Sequence, residues 1–220
     1  MNNVKTLAQA TAWLDDLCQR YPVLTTSRHS LLKAIELLRT TFLNGGKLLV
    51  CGNGGSAADA EHLSGELMKG FLKKRPITPD LRTKLLEIGA ESSWVDLLQG
   101  ALPVIPLSGN GALATAISND QGEELIFAQQ ILGLGRPEDC LLAISTSGLS
   151  LNVVRAVLVA KSLNLATIGL TGGTGGELIS LCDATVVVPA TATYQIQEYH
   201  LPIYHTFCAV LEECFFNEGK

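Results

Sequence analysis

The feature that most constrains this chain is an alternation. Five apolar runs of four to six residues, at 47–51, 103–107, 140–145, 166–170 and 185–188, are separated by stretches of helical periodicity. A strand that is apolar along its whole length needs cover on both faces, and the helices between the runs supply it. The pattern therefore predicts an α/β fold with a parallel sheet between helical layers. Helical spacing in residues 1–45 predicts a pair of N-terminal helices. Leu7, Ala10, Trp13, Leu14 and Leu17 mark the first, and Leu31, Leu32, Ile35, Leu38 and Phe42 the second. Tyr21-Pro22 breaks the first helix, and Asn44-Gly45-Gly46 ends the second. Further helices are expected at 57–72, 127–132, 151–163, 177–181 and 195–216. Residues 73–99, with Pro76 and Pro79 followed by helix-like sequence to Trp94, read as an inserted hairpin or lid. No repeat or low-complexity segment divides the chain, so residues 1–220 are read as one domain.

Composition narrows the function. With 16 Lys+Arg against 21 Asp+Glu, a net charge of −5 and no long basic run, nothing here resembles a groove that neutralises nucleic-acid phosphates. Aromatic residues make up 5%, too few for a base-stacking surface. The start, Met1-Asn2-Asn3-Val4-Lys5, lacks the basic and apolar regions of a secretory signal, and no apolar run approaches the ~20 residues that cross a bilayer. Cys18, Cys51, Cys140, Cys182, Cys208 and Cys214 form no CxxC pair. The expectation is a reduced, cytoplasmic protein with neither a disulfide frame nor a membrane partner.

Three places carry chemistry. Gly52-Asn53-Gly54-Gly55-Ser56-Ala57 joins a strand to a helix, a turn that lets backbone N–H groups meet an anion. A dinucleotide fingerprint would need a second strand ending in an acid about 20 residues on. The next strand here begins near residue 103, so a sugar phosphate fits better; a turn serving only packing is the plain alternative. Ser145-Thr146-Ser147-Gly148-Leu149-Ser150 then places four hydroxyls at the start of a helix, a cup suited to a phosphate monoester. The plain alternative is a helix cap, which needs one hydroxyl. The third place is a set of N and O donors. His62 and Glu66 share a helix face, while Gln197 and His205 lie on the last helix about 12 Å apart along its axis. Pro202 between them is expected to kink that helix and bring them together. Such a set suits zinc, and the alternative is a pair of ordinary surface or core histidines. His29 and His200 are read as structural or solvated.

Gly-Asn-Gly-Gly-Ser at 52–56, Ser-Asn-Asp at 118–120, Ser-Thr-Ser-Gly-x-Ser at 145–150 and Ile-Gln-Glu at 196–198 together resemble the sugar isomerase (SIS) domains, the phosphoheptose isomerase group in particular. The resemblance spans nearly the whole chain. It implies a three-layer sandwich with a five-stranded parallel sheet, flavodoxin-like or Rossmann-like, and a homotetramer with sites between subunits. It also implies one zinc per subunit on His62, Glu66, Gln197 and His205. Substrate contacts would come from Asn53, Gly54, Gly55, Ser56, Glu66, Asn119, Asp120, Ser145, Thr146, Ser147, Ser150 and Gln197. Hydroxyls of the 145–150 loop would hold the phosphate, and Asn53, Ser56 and Asp120 the sugar. The chain departs from the family pattern at Tyr194-Gln195, where an Asp-Arg pair is usual, at Gly70, where an Arg is usual, and in the length of 73–99.

The reaction implied is aldose–ketose isomerisation of a sugar phosphate, from sedoheptulose 7-phosphate to the glycero-manno-heptose phosphate. Glu66 would be the base and His205 its partner acid, with an enediol between them. The rival reading is a non-catalytic relative that binds a replication-initiator protein or another phosphosugar. The retained Glu66 and His205 favour the enzyme.

Overall fold

The structure is a computed structural model describing residues 7–216; residues 1–5, with the start discussed above, and the side chains of Leu7 and Ala10 lie outside what is described. Two helices, α1 (Leu7–Arg20) and α2 (Arg28–Leu43), lead into β1 (Leu48–Gly52) and α3 (Gly55–Met68). The segment that follows holds α4 (Pro79–Glu87) and α5 (Ser92–Val95). Then come β2 (Val104–Pro106), α6 (Gly111–Asp120), α7 (Ile126–Leu134), β3 (Cys140–Ile144) and α8 (Leu151–Ser162). The chain ends with β4 (Ala166–Gly172), α9 (Leu178–Leu181), β5 (Ala184–Val188) and α10 (Thr193–Phe215).

The five strands form one wholly parallel sheet in the order β2-β1-β3-β4-β5. Alternate residues feed two cores, as the pleat requires. Leu48 and Val50 of β1, with Leu142 and Ile144 of β3, join a core built with α1, α2, α3 and α10. Leu49, Cys51, Leu141 and Ala143 point the other way, into a core built with α7, α8 and α9. The expected three layers are present. β2 is shorter than its apolar run, three residues flanked by Pro103 and ending on Pro106. It pairs only with β1, and an edge strand is where prolines without N–H donors are tolerated.

Three details differ from the sequence expectation. The helix after β1 stops at Met68, not residue 72, because Lys69 turns extended. Helix α6 was not anticipated; its signal was Asn110, whose side chain accepts from Leu113 N–H at 3.1 Å. Pro202 does not divide α10, which runs through it as one helix of 23 residues. The inserted segment is a helical hairpin whose ends are closed by an antiparallel bridge between Pro76 and Gln99. Thr78, accepting from Leu81 N–H at 3.3 Å, and Pro79 start its first helix.

The hairpin leaves and rejoins the core at a buried ion pair. Arg75 donates through Nε to Glu212 Oε1 at 2.7 Å, with both side chains at most 1% exposed. The same guanidinium caps the end of α3, bonding the carbonyls of Leu67 (2.8 Å) and Glu66 (3.2 Å). Glu212 in turn accepts the N–H groups of Phe71, Leu72 and Lys73. None of the six cysteines forms a disulfide, and Cys51, Cys140, Cys208 and Cys214 are buried. Burial pushes the Cys182 thiol up to about 12, and the thiols of Cys51, Cys140 and Cys208 up as well. No helix among the described residues is long and apolar enough to cross a membrane.

Removing one partner of a buried ion pair strands the other charge. Glu212→Ala is therefore expected to lower unfolding free energy by about 3–5 kcal/mol, measured by urea denaturation followed by circular dichroism.

Candidate active site

An open parallel sheet has its natural crevice where the chain, having wound to one side, starts again on the other. Here that point lies between β1 and β3, since β2 flanks β1 on one side and β3 on the other. The two loops singled out in the sequence leave the carboxyl ends of these two strands. Asn53 and Asn152 join the loops with a reciprocal amide pair, both bonds 2.9 Å. A cleft of about 480 Å3 opens beside the pair, lined also by Ser150, Glu123 and Glu124.

The serine loop does not behave as a simple cap. Ser150 is the N-cap residue of α8 but makes no side-chain capping bond. Its Oγ lies 2.9 Å from Ser145 Oγ, so the two hydroxyls support one another. Ser147 Oγ accepts from Leu149 N–H at 3.2 Å and is exposed, while Thr146 uses its carbonyl to hold Gly172 N–H at 3.1 Å. The loop leans on a second glycine-rich turn, Gly172-Gly173-Thr174-Gly175-Gly176, which sequence reading overlooked although it too follows a strand. Gly148 has φ +67°, and a Cβ there would come within 2.1 Å of the Gly175 carbonyl oxygen. Only glycine satisfies both conditions.

In the first loop, Ser56 N–H closes the turn on the Asn53 carbonyl at 3.0 Å. Its side chain is buried, with the residue 3% exposed, so Ser56 faces protein, contrary to its expected place against the sugar. Gly54 and Gly55 are exposed at the start of α3. Asn119 and Asp120 sit exposed at the end of α6, where Asn119 Nδ2 donates to Asp120 Oδ1 at 2.8 Å.

The donor set is arranged by two helices running side by side in the same direction. A Cβ at Gly55 would meet Gln197 Nε2 at 2.4 Å, so glycine lets α10 close on α3. Seven residues further along both helices, His62 meets Tyr204, with Nδ1 3.0 Å from the phenol oxygen. This register keeps Gln197 at the loop end and His205 at the far end, so the two are not gathered. His62 Nε2 lies 3.4 Å from His205 Nε2 and 3.5 Å from Glu66 Oε1. Lys69 Nζ holds the other oxygen of Glu66 at 3.1 Å. Tyr204 donates to Asp59 Oδ1 at 3.3 Å, and Phe71 lies 5.4 Å from the His205 ring. A second cleft, about 270 Å3, reaches His205 past Trp13, Arg20 and Tyr21.

Burial shapes the charges. It holds His205 below the ordinary imidazole value, helped by the neighbouring His62, and raises the Asp59 carboxyl. Burial and then Asp59 push the Tyr204 phenol up. Of the two readings left open for His200, structural or solvated, the structure shows the first: it is fully buried, and burial pushes it down to about 4.

Among the described residues, no three His, Cys, Asp or Glu side chains close on one point that could hold a metal ion. The donor chemistry nonetheless fits zinc. Bonds of about 2.0–2.1 Å in a tetrahedral centre set neighbouring ligands about 3.4 Å apart, close to both separations at His62 Nε2.

Two overlapping segments, 13–101 and 93–172, match the family model of the SIS domain. The phosphoheptose isomerase of Roseiflexus sp. is 39% identical over 183 residues, 83% of this chain and 81% of that one. Phosphoheptose isomerase 1 of Campylobacter jejuni is 40% identical over 83% of this chain and 86% of its own length. Among solved structures, a phosphoheptose isomerase from Francisella tularensis superimposes with a TM-score of 0.70 at 31% identity, covering 94% of this chain and 98% of the other.

Gly148→Ala would force a left-handed backbone onto alanine and drive its methyl into a carbonyl. It is expected to cost more than about 1 kcal/mol of stability and to weaken inorganic phosphate binding, read by thermal melting and calorimetric titration.

Proposed function

The chain belongs to the SIS-domain family, among the phosphoheptose isomerases, and we propose that it interconverts sedoheptulose 7-phosphate and glycero-manno-heptose 7-phosphate through an enediol. The observation that carries this reading is the cluster of His62, Glu66 and His205 on two parallel helices that begin at a hydroxyl-lined strand-end crevice.

The substrate phosphate is assigned to the hydroxyls and N–H groups of Ser145, Thr146, Ser147 and Ser150, where the start of α8 adds a favourable dipole. Asn53, with Gly54 and Gly55, lies next along the crevice, and Asn119 and Asp120 are assigned to sugar hydroxyls. Anchoring the phosphate positions the carbonyl end and limits the poses in which it meets the acid–base groups.

Glu66 then takes the proton from the carbon beside the carbonyl and returns it to the neighbouring carbon. His205 gives a proton to the carbonyl oxygen and recovers one from the adjacent hydroxyl. Its neutral imidazole, held neutral by burial, has both a proton and a lone pair for these transfers. Lys69 Nζ, 3.1 Å from Glu66 Oε2, holds one carboxylate oxygen and leaves the other facing His62. We assign zinc, one per subunit, to His62, Glu66 and His205, whose donors meet; Gln197, expected as a fourth ligand, stands against Gly55 at the other end of the helix pair and lies outside this set. When bound, the ion would supply Lewis acidity toward the oxygen on which charge develops.

A homotetramer in the cytoplasm completes the proposal. The separate clefts at Asn53 and at His205 within one chain favour a site finished by neighbouring copies. A purely adaptor role is not favoured, because an adaptor needs no carboxylate and imidazole held side by side.

Incubation with sedoheptulose 7-phosphate is expected to yield the aldoheptose phosphate, detected by NMR. Glu66→Gln should lower kcat by about 10²–10⁴-fold with a small change in KM, and wild-type turnover in this variant would remove Glu66 from the chemistry. Light scattering should give four times the 23.4 kDa chain mass; the mass of one chain would contradict the assembly.

A further inference from the structure

Behind His62 lies a short hydrogen-bonded chain that the reaction scheme does not use. Asp59 stands one turn before His62 on the same face of α3. Tyr204 reaches both from α10, with its hydroxyl 3.3 Å from Asp59 Oδ1 and 3.0 Å from His62 Nδ1. Tyr204 is 1% exposed, so its hydroxyl has little access to solvent partners. A phenol has one proton to give, and a carboxylate has none. The proton of Tyr204 therefore goes to Asp59, and the contact with Nδ1 is complete only if the imidazole donates there.

We infer that Asp59 and Tyr204 are positioning residues that hold His62 with its proton on Nδ1 and its Nε2 lone pair turned toward Glu66 and His205. Nε2 has His205 Nε2 at 3.4 Å and Glu66 Oε1 at 3.5 Å. Only a ring nitrogen free of its proton can bind a cation or accept a proton there. A histidine fixed through its far nitrogen by a hydroxyl and a carboxylate is the outer-shell device that sets tautomer and ring orientation at metal sites.

Packing alone does not account for the pair. The Tyr204 ring meets His62 and His205 edge-on at 5.5 and 5.1 Å, contacts that a phenylalanine would also make. Asp59 keeps its second oxygen, Oδ2, buried without a hydrogen-bond partner. A partly unpartnered carboxylate of this kind costs stability. Neither group is needed to fill space, and both are accounted for by the direction they impose on His62.

This inference rests on the proposed role of the His62–Glu66–His205 cluster, and the test separates the two. The chain has four histidines, so long-range 1H–15N correlation spectra of metal-free protein resolve each ring, with His62→Gln identifying its signals. Wild type is expected to show His62 as the Nδ1–H tautomer. Tyr204→Phe should shift it toward Nε2–H and weaken zinc binding by about 10–100-fold in a chelator competition. Asp59→Asn, whose amide can donate to the phenol oxygen and reverse the chain, should move the tautomer the same way and stands in if Tyr204→Phe does not fold. Tyr199→Phe, away from the cluster, should leave the tautomer unchanged. An Nε2–H tautomer in wild type, or an unchanged His62 in both Tyr204→Phe and Asp59→Asn, overturns the inference. Wild type that binds no zinc but shows the expected tautomers removes the metal assignment and leaves the positioning role standing.

Discussion

Arg75 and Glu212 face each other where water does not reach, and most of what brings the reactive side chains together passes through them. Two buried charges are costly unless their remaining hydrogen-bonding capacity is used. Here it is used in full view of the site. The guanidinium takes two carbonyls of the last turn of α3, those of Leu67 and Glu66, and the carboxylate takes three successive N–H groups of the turn that follows. The guanidinium also lies over the Phe216 ring, 4.5 Å from its centroid. The end of α3, the root of the inserted hairpin and the last turns of α10 are therefore one rigid unit. Apolar residues could pack these elements, but they could not cap a helix and gather a turn at the same time.

That unit fixes the register of α3 against α10, and the register is what makes a site. Gly55 admits the Gln197 amide at one end, and His62 meets Tyr204 and His205 at the other. A shift of one residue in either helix would rotate its contacts by about 100° and point Glu66 and His205 apart. The sheet supplies the complementary constraint. Reversal of winding direction between β1 and β3 leaves a gap at their carboxyl ends, and Asn53 and Asn152 bridge it.

Much of this was legible in the sequence, for identifiable reasons. The five strands were visible because strands covered on both faces are apolar at every position, as in 48–52 and 140–144. The serine loop was visible because four hydroxyls exceed what a cap requires. What escaped notice depends on partners far along the chain. Nothing near Gly172–Gly176 shows that Gly148 rests against it, and nothing near Asp59 announces Tyr204, 145 residues later. The approach of Gln197 to His205 expected at Pro202 failed because a proline removes one bond from a helix that its buried neighbours still hold continuous. Thr206 Oγ1 also takes the carbonyl of Pro202 at 2.8 Å. Ser56 was placed with its loop by sequence motif, but its side chain turns inward under Gly52 to close the strand–helix junction.

The distance between the two ends of the site has a physical consequence of its own. From Gly55 to His62 is seven residues of helix, about 10 Å at 1.5 Å each, so the hydroxyl cup and the acid–base cluster do not act on the same atoms. On the proposed reading, energy gained where the phosphate binds is used where the carbonyl reacts, and the substrate chain itself carries it across. A shorter sugar held by the same cup would leave its carbonyl short of Glu66, whereas binding of the phosphate would be little changed. Chain length would then be discriminated in kcat more than in affinity, a selectivity set by the spacing of two helical turns and not by any one contact to the sugar.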